Sequence, residues 1–509
     1  MMFNKQILPF ILLLFFSNVS CKKEIDPFSN VLDLKNSPSS PDDEGLNAFF
    51  DLGSWMGFAL SDDKTKTEFT GPYILGLEHG IWASNNFTSL DLIDKNGKSL
   101  LTNLNYSEQK YFPGKLENQL HFEDIELISN LIFNSDKSAI ISSKIINNGT
   151  HNLNFTPQWK GEVFDEIGDL INNDTFLITL LDKNQKIFLR PINNKEFNIL
   201  TDSNKYVITL NNIILKPKES KTYAIEIQYH PDQKNIKENT NRINVTQVIE
   251  DNQLRWKKYL EITKNKSLSK EEKLILTKSI CTLINNWRST AGALKHDGLF
   301  PSYHYKWFQG FWSWDSWKHA VALVKIDKEL AKNQVRAMYN YQNMEGMIAD
   351  CIFRDTTTER NNWRDTKPPL SSWAIWEIFK ETSDTTFLKE MYPKLVKYHN
   401  WWYTFRDYDK DGLCEYGSTD GSLIAAKWES GMDNAIRFDK CKILDGSNYS
   451  INTESVDLNS YLAKEKEYLS KIAKALKRPE YTKWEEGFKI LSDRIRNNFY
   501  DEKSGYFYD

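Results

Sequence analysis

Between Trp312 and Asp433 tryptophans alternate with carboxylates, and the stretch closes on Trp428-Glu429-Ser430-Gly431-Met432-Asp433. Indole faces suit the apolar faces of sugar rings, and carboxyl groups can protonate a glycosidic oxygen or activate a water. In the closing hexapeptide two acids stand four apart around a turn that Gly431 permits. An acid that gives up a proton near neutral pH needs a raised pKa, and apolar aromatic walls supply it by disfavouring the charged form. Asp433 fits that task, and Glu429 is a candidate substrate ligand beside it. An exposed acidic loop is the plain alternative.

Three further clusters point the same way. In Trp312-Ser313-Trp314-Asp315-Ser316-Trp317 three indoles surround one acid just before a helix. Trp312 or Trp314 would floor a sugar subsite while Asp315 bonds sugar hydroxyls or the attacking water; the alternative is a buried aromatic plug with Asp315 capping the helix. Asn361-Asn362-Trp363-Arg364-Asp365-Thr366-Lys367 supplies amides, an indole and cations, with Trp363 and Lys367 the candidate substrate contacts. Asp407, Asp409, Asp411, the Leu413 carbonyl and Glu415 fall on successive odd positions, with Gly412 making the turn. Hard oxygen ligands at that spacing converge on calcium, though the last acid comes earlier than in an EF-hand. The ion would be structural, pinning a loop beside the cleft, against the alternative of a solvated acidic turn.

These residues need a scaffold. A chain of 509 residues exceeds one ordinary core, so two folded units are expected. A net charge of -4 without a basic stripe excludes nucleic acid as a partner. Lys5 and the apolar run Ile7 to Phe16 read as a signal peptide over residues 1–21, too short to span a bilayer. Asn18-Val19-Ser20-Cys21 resembles a bacterial lipoprotein cleavage box, which makes Cys21 the lipidated residue and the protein an exported, membrane-anchored lipoprotein, periplasmic or on the cell surface. Residues 22–44, rich in Ser, Pro and Asp, are expected to form a flexible tether.

Residues 45–238 alternate apolar and polar over short runs broken by turns such as Asn96-Gly97, the pattern of an antiparallel β-sandwich. Residues 239–270 form a helical linker, and Ser269 is a candidate N-cap for the next helix. From 271 to 509 amphipathic helices alternate with loops that carry the unusual residues, with no strand between them, which suggests a toroid of helical hairpins with its loops at one mouth. The remaining cysteines lack C-x-x-C spacing, so neither zinc nor a disulfide framework is indicated.

The order and spacing of Phe49-Phe50-Asp51-Leu52-Gly53-Ser54-Trp55, Asn286-Trp287-Arg288-Ser289, the Trp312 block, Thr366-Lys367-Pro368-Pro369 and the Glu429–Asp433 turn resemble the bacterial α-glucosidases of glycoside hydrolase family 63. The resemblance implies an N-terminal β-sandwich, a catalytic (α/α)6 barrel, and inverting hydrolysis of α-linked gluco-oligosaccharides. It implies Asp433 as general acid, Asp315 near the hydrolytic water, Trp312, Trp314, Trp363 and Lys367 in the cleft, and calcium in the 407–415 loop. Inversion also needs a general base across the cleft. The family carries its base in later helices that have no counterpart here, so the toroid is expected to be incomplete, and a C-terminal fragment encoded downstream is an expected partner. A non-catalytic glycan-binding lipoprotein is the competing class.

Overall fold

The computed structural model describes residues 28–509 apart from 77–79, 169, 173–176, 181–184, 195, 232–242, 306, 445 and 447–448. The signal sequence and Cys21 lie outside the described residues. No helix among those described is long and apolar enough to cross a membrane.

The N-terminal region is built from antiparallel sheets, and the C-terminal region is helical. One sheet has eight strands, from an edge at Leu170–Asn172 to the opposite edge at Tyr106–Phe112, with the hairpin Ile125–Ser135 and Ser138–Asn147 inside it. Its alternation sets Leu127, Leu131 and Phe133 in the core, as a sheet with one solvated face requires. A five-stranded sheet is organised around Leu153–Glu162, and three strands over Met56–Trp82 complete the region. From residue 28 the expected tether is laid against these sheets. Asn30 bonds the Tyr111 carbonyl, Leu34 accepts from the Leu60 N–H, and Leu34 is buried. The apolar Leu34 and Pro41, set among polar residues, give the segment something to bury.

Helices α1 (Val245–Tyr259) and α2 (Lys270–Asn285) lead into the second region. Ser269 and Glu272 form a reciprocal capping box on α2, each side chain bonding the other's backbone N–H. The helices α3 (Ser313–Leu323), α4 (Lys328–Tyr339), α5 (Ser371–Thr382) and α6 (Thr385–Phe405) follow, then the short α7 (Leu423–Glu429), α8 (Val456–Ala475) and α9 (Tyr481–Phe499). Tight turns join α3 to α4 and α5 to α6, and Asp327 and Asp384 cap the second helix of each pair. α5 packs on α3, α4, α6 and α8 at once. Its start is later than Pro368-Pro369 suggests, because Leu370 closes a turn onto the Pro368 carbonyl first.

Short strands do separate these helices, contrary to expectation. Gly310–Trp312 pairs with Cys351–Phe353 and Glu415–Gly417 with Ser450–Glu454, both antiparallel. The runs are only three to five residues long, below what period-two patterning reveals.

The Phe49–Trp55 motif joins the two regions. Phe50 N–H donates to Asn285 Oδ1 at 2.6 Å, Ser289 N–H to the Gly53 carbonyl at 2.7 Å, and Trp55 Nε1 to the Ser289 carbonyl at 3.2 Å. Gly53 sits at φ +74°, and a Cβ there would meet Ser289 N at 2.7 Å, so glycine is required. Arg255 grips the fully buried Asp51 through both carboxylate oxygens at 2.8 and 2.6 Å.

Candidate active site

The three site segments meet around one cleft of about 910 Å³. Pairing of Gly310–Trp312 with Cys351–Phe353 aligns Trp312 opposite Cys351, and Ser313 N–H donates to the Asp350 carbonyl at 2.8 Å. α3 therefore begins at the cleft, with Asp315 in its first turn, where the helix dipole favours an acid. Trp307, Phe308, Trp312, Trp314, Trp363 and Trp428 form the aromatic wall; Asp315, Asp350 and Asp433 supply carboxylates. Gly431, at φ +70°, lets the acid's turn pass the Trp314 ring, which an added Cβ would approach to 3.2 Å.

Burial raises the Asp315 carboxyl above the usual range; Lys318 and Lys367 pull it down and the charge of Asp433 adds to the rise. Asp433 itself is exposed, at the open side of the cleft rather than enclosed by aromatics as expected. The chain emerges from the surface just after Gly431, and Met432 is exposed too. Asp433 nevertheless lines the same cleft as Asp315, and its charge reaches Asp315, Asp350 and Lys367.

Two candidate sugar ligands are turned inward. Glu429 is fully buried and every strong contact it makes is to protein: Arg406 Nε and Nη2 at 2.7 and 2.9 Å, Gly417 N–H at 2.7 Å, and Thr366 N–H at 3.4 Å. With Arg406, Gly417 N–H and Thr366 N–H together meeting the four acceptor sites of the carboxylate, Glu429 anchors α7 from inside the protein and does not line the cleft. Lys367 lines the cleft but directs its ammonium to Asp350 and Asp365, 3.3 Å each, and to the Trp428 carbonyl. Burial works against its charge, and Asp350 and Asp365 hold its pKa above the ordinary value. Burial also raises both acids, Asp365 further through its neighbour Asp350.

Asp350 and Arg406 were not candidates on sequence. Asp350 stands in Ala349-Asp350-Cys351, with no aromatic pattern beside it, and only the strand pairing brings it to the cleft. Arg406 precedes the acidic loop and gains meaning only when Glu429 arrives 23 residues later.

In the loop after α6, carboxylate oxygens of Asp407, Asp409 and Asp411 lie within 4.8 Å of one another, as do those of Asp409, Glu415 and, from a paired strand, Glu454. Glu454 is the ligand the spacing did not reveal; it comes from the strand paired with Glu415. Desolvation lifts Glu415 to about 8, with Asp409 and Glu454 adding to the rise. An all-oxygen, strongly acidic set whose charges crowd one another fits a hard divalent cation such as calcium. Leu413 is buried, and its N–H is tied to Asp411 Oδ1 at 2.7 Å.

Comparison with known proteins follows this division of the chain. Residues 308–509 match the family model "Mannosylglycerate hydrolase MGH1-like glycoside hydrolase domain", and residues 35–288 match "Glucosidase YgjK, N-terminal". Mannosylglycerate hydrolase of Thermus thermophilus is 26% identical over 183 residues, 32% of this chain and 40% of that protein. Mannosylglycerate hydrolase MGH2 of Selaginella moellendorffii is 24% identical over 147 residues, 25% of this chain and 28% of that protein. The chain thus spans well under half the length of these curated relatives. Among solved structures, a putative kojibiose phosphorylase from human microbiome superposes with a TM-score of 0.46 at 11% identity, over 91% of this chain and 69% of that one. A family 63 mannosylglycerate hydrolase from Thermus thermophilus, solved in complex with glucose, gives 0.36 at 20% identity, over 46% of this chain and 65% of that one. With one family model on each region, the chain carries an MGH1-like glycoside hydrolase domain behind a YgjK-type N-terminal region.

Proposed function

We propose that this protein is an inverting α-glucosidase of oligosaccharides, with Asp433 the general acid and Asp315 the residue that orients the sugar and the attacking water. The observation that supports the reading is that Asp433 and Asp315, 118 positions apart in the chain, line one aromatic cleft. In this scheme Asp433 protonates the departing glycosidic oxygen from the open side while the glucosyl ring lies against Trp312 and Trp314. Trp363 borders the same subsite. Inversion leaves room for a water between the general acid and the general base, about 6.5–9.5 Å apart. We propose that the α3–α9 helices belong to an (α/α)6 toroid and that a general base acts across the cleft from Asp433. Calcium would be held by Asp407, Asp409, Asp411, Glu415 and the Leu413 carbonyl, with Glu454, pinning the loop that follows α6. Export and acylation at Cys21 would place the enzyme on a membrane facing the periplasm or the cell exterior.

A second reading, hydrolysis of a mannoside of a small organic acid, draws on Arg360 and Arg364 at the cleft, cations suited to a carboxylate aglycone. It also draws on the names of the relatives, mannosylglycerate hydrolases. The experiment is to supply kojibiose, nigerose and mannosylglycerate to the protein and to follow the released sugar by NMR. Initial release of β-glucose supports inverting α-glucosidase action. Release of mannose alone selects the second reading, and sugar binding without turnover selects a glycan-binding protein.

A further inference from the structure

Among the described residues of the site, Lys367 is the side chain whose charged end touches two of the three segments directly and reaches the third through a single residue. Its Nζ contacts Asp365 Oδ2 in its own loop and the Trp428 carbonyl at the head of the acid's turn. It also meets Asp350 Oδ1, and the Asp350 carbonyl accepts from Ser313 N–H, the first residue of α3. Asn362 Nδ2 braces both acids, at 2.9 Å to Asp350 Oδ2 and 3.0 Å to Asp365 Oδ1. The Trp428 carbonyl also accepts Gly431 N–H at 2.9 Å, so the ammonium bears on the turn that carries Asp433. Lys367, Asp350 and Asp365 are all nearly or fully buried. Two of the ammonium's donors go to Asp365 Oδ2 and the Trp428 carbonyl, and Asp350 Oδ1 stands 3.3 Å away as an ion-pair partner, so the charge is held mainly by protein.

We propose that Lys367 is a positioning residue: a buried hub that locks the α3 start, the 361–367 loop and the 428–433 turn together, so that the proton donor is held against the sugar subsite. This deepens the reading of the cleft as a glycosidase site and rests on it. Without the cation the two buried acids are left with Asn362 as their shared brace, and each must take up a proton or shift toward another partner, because a charged carboxylate there would face desolvation without compensation. Loss of the hub therefore loosens all three segments together, whereas loss of a mere sugar ligand would leave the backbone unchanged.

The test is amide hydrogen exchange on the full chain, without substrate, in the unmodified protein, Lys367→Met and Lys367→Arg. The proposal expects the amides of Ser313, Asp350 and Gly431 to exchange at least about tenfold faster in Lys367→Met, with Lys367→Arg within about threefold of the unmodified protein. Should Lys367→Met not fold, Asp350→Asn/Lys367→Met removes the cation together with one acid and is read at Ser313 and Gly431 in the same way. Unchanged exchange, or acceleration confined to residues 361–367, overturns the hub. Turnover supplies a separate arm: the hub predicts a fall in kcat with glucose affinity held within about threefold, and a roughly tenfold loss of glucose affinity with kcat unchanged overturns it. Absence of α-glucosidase activity would sink the proposed function and leave the exchange arm to judge the hub.

Discussion

Replacing Glu429 by leucine strands a charge in the core. Arg406 is 2% exposed and Glu429 0%, and the two are joined by a bidentate pair at 2.7 and 2.9 Å. Removing one member of a buried pair costs about 3–5 kcal/mol, because the other is left uncompensated in low dielectric. Gly417 N–H also loses its 2.7 Å acceptor, which adds about 1 kcal/mol. Glu429→Leu should therefore lower stability by about 4–6 kcal/mol, a large part of the roughly 5–15 kcal/mol typical of a folded domain. Arg406→Met/Glu429→Leu removes the stranded guanidinium and should recover about 2–3 kcal/mol of that loss. Urea unfolding followed by tryptophan fluorescence is the assay, since twelve of the sixteen tryptophans lie from Trp287 onward and report on the helical region. A Glu429→Leu protein within about 1 kcal/mol of the parent, or a double variant less stable than the single, would refute the reasoning.

Calcium at about 100 times its dissociation constant should stabilise the protein by about 2.7 kcal/mol, read as a melting temperature that rises with added CaCl2, falls with EDTA, and is flat in Asp409→Asn. A parent melting curve indifferent to both additions removes the ion from the account. Trp314→Ala should weaken glucose binding roughly tenfold, about 1.4 kcal/mol, by calorimetry; unchanged affinity would take the indole out of the sugar floor. His319 is depressed to about 4, first by burial and then by Lys318, and its Nδ1 has no hydrogen-bond partner among the described residues. The unfolded chain binds that proton near about pH 6.5, so the contribution of neutral His319 is complete above that pH and is lost as pH falls toward about 4, up to about 3 kcal/mol. The parent's stability should drop more steeply across that window than that of His319→Phe, and parallel pH curves would contradict the assignment.

What the sequence revealed follows from the range of the forces involved. The amphipathic helices expected after residue 271 form, α6 over Thr385–Phe405 among them, and so does the Ser269 cap, because periodicity and caps are local. The odd-numbered acids of the 407–415 loop likewise cluster as their spacing implies. Asp350, Glu454 and Arg406 could not be read, since each gains its role from a partner on another strand or helix. Glu429 and Lys367 lie in the right motifs, but sequence spacing cannot tell a carboxylate or ammonium facing the cleft from one facing the core. Asp433 shows the converse: its motif opens on Trp428, yet in space the chain has already turned out to the surface at Met432.

The central claim is that Asp433 delivers a proton to a glycosidic oxygen, and the most direct measurement compares Asp433→Asn with the parent on kojibiose and on α-glucosyl fluoride. Fluoride leaves without needing a proton, so hydrolysis of the fluoride should persist while kojibiose hydrolysis falls by about 10²–10⁴-fold. Kojibiose cleavage at the parental rate in Asp433→Asn would contradict the account.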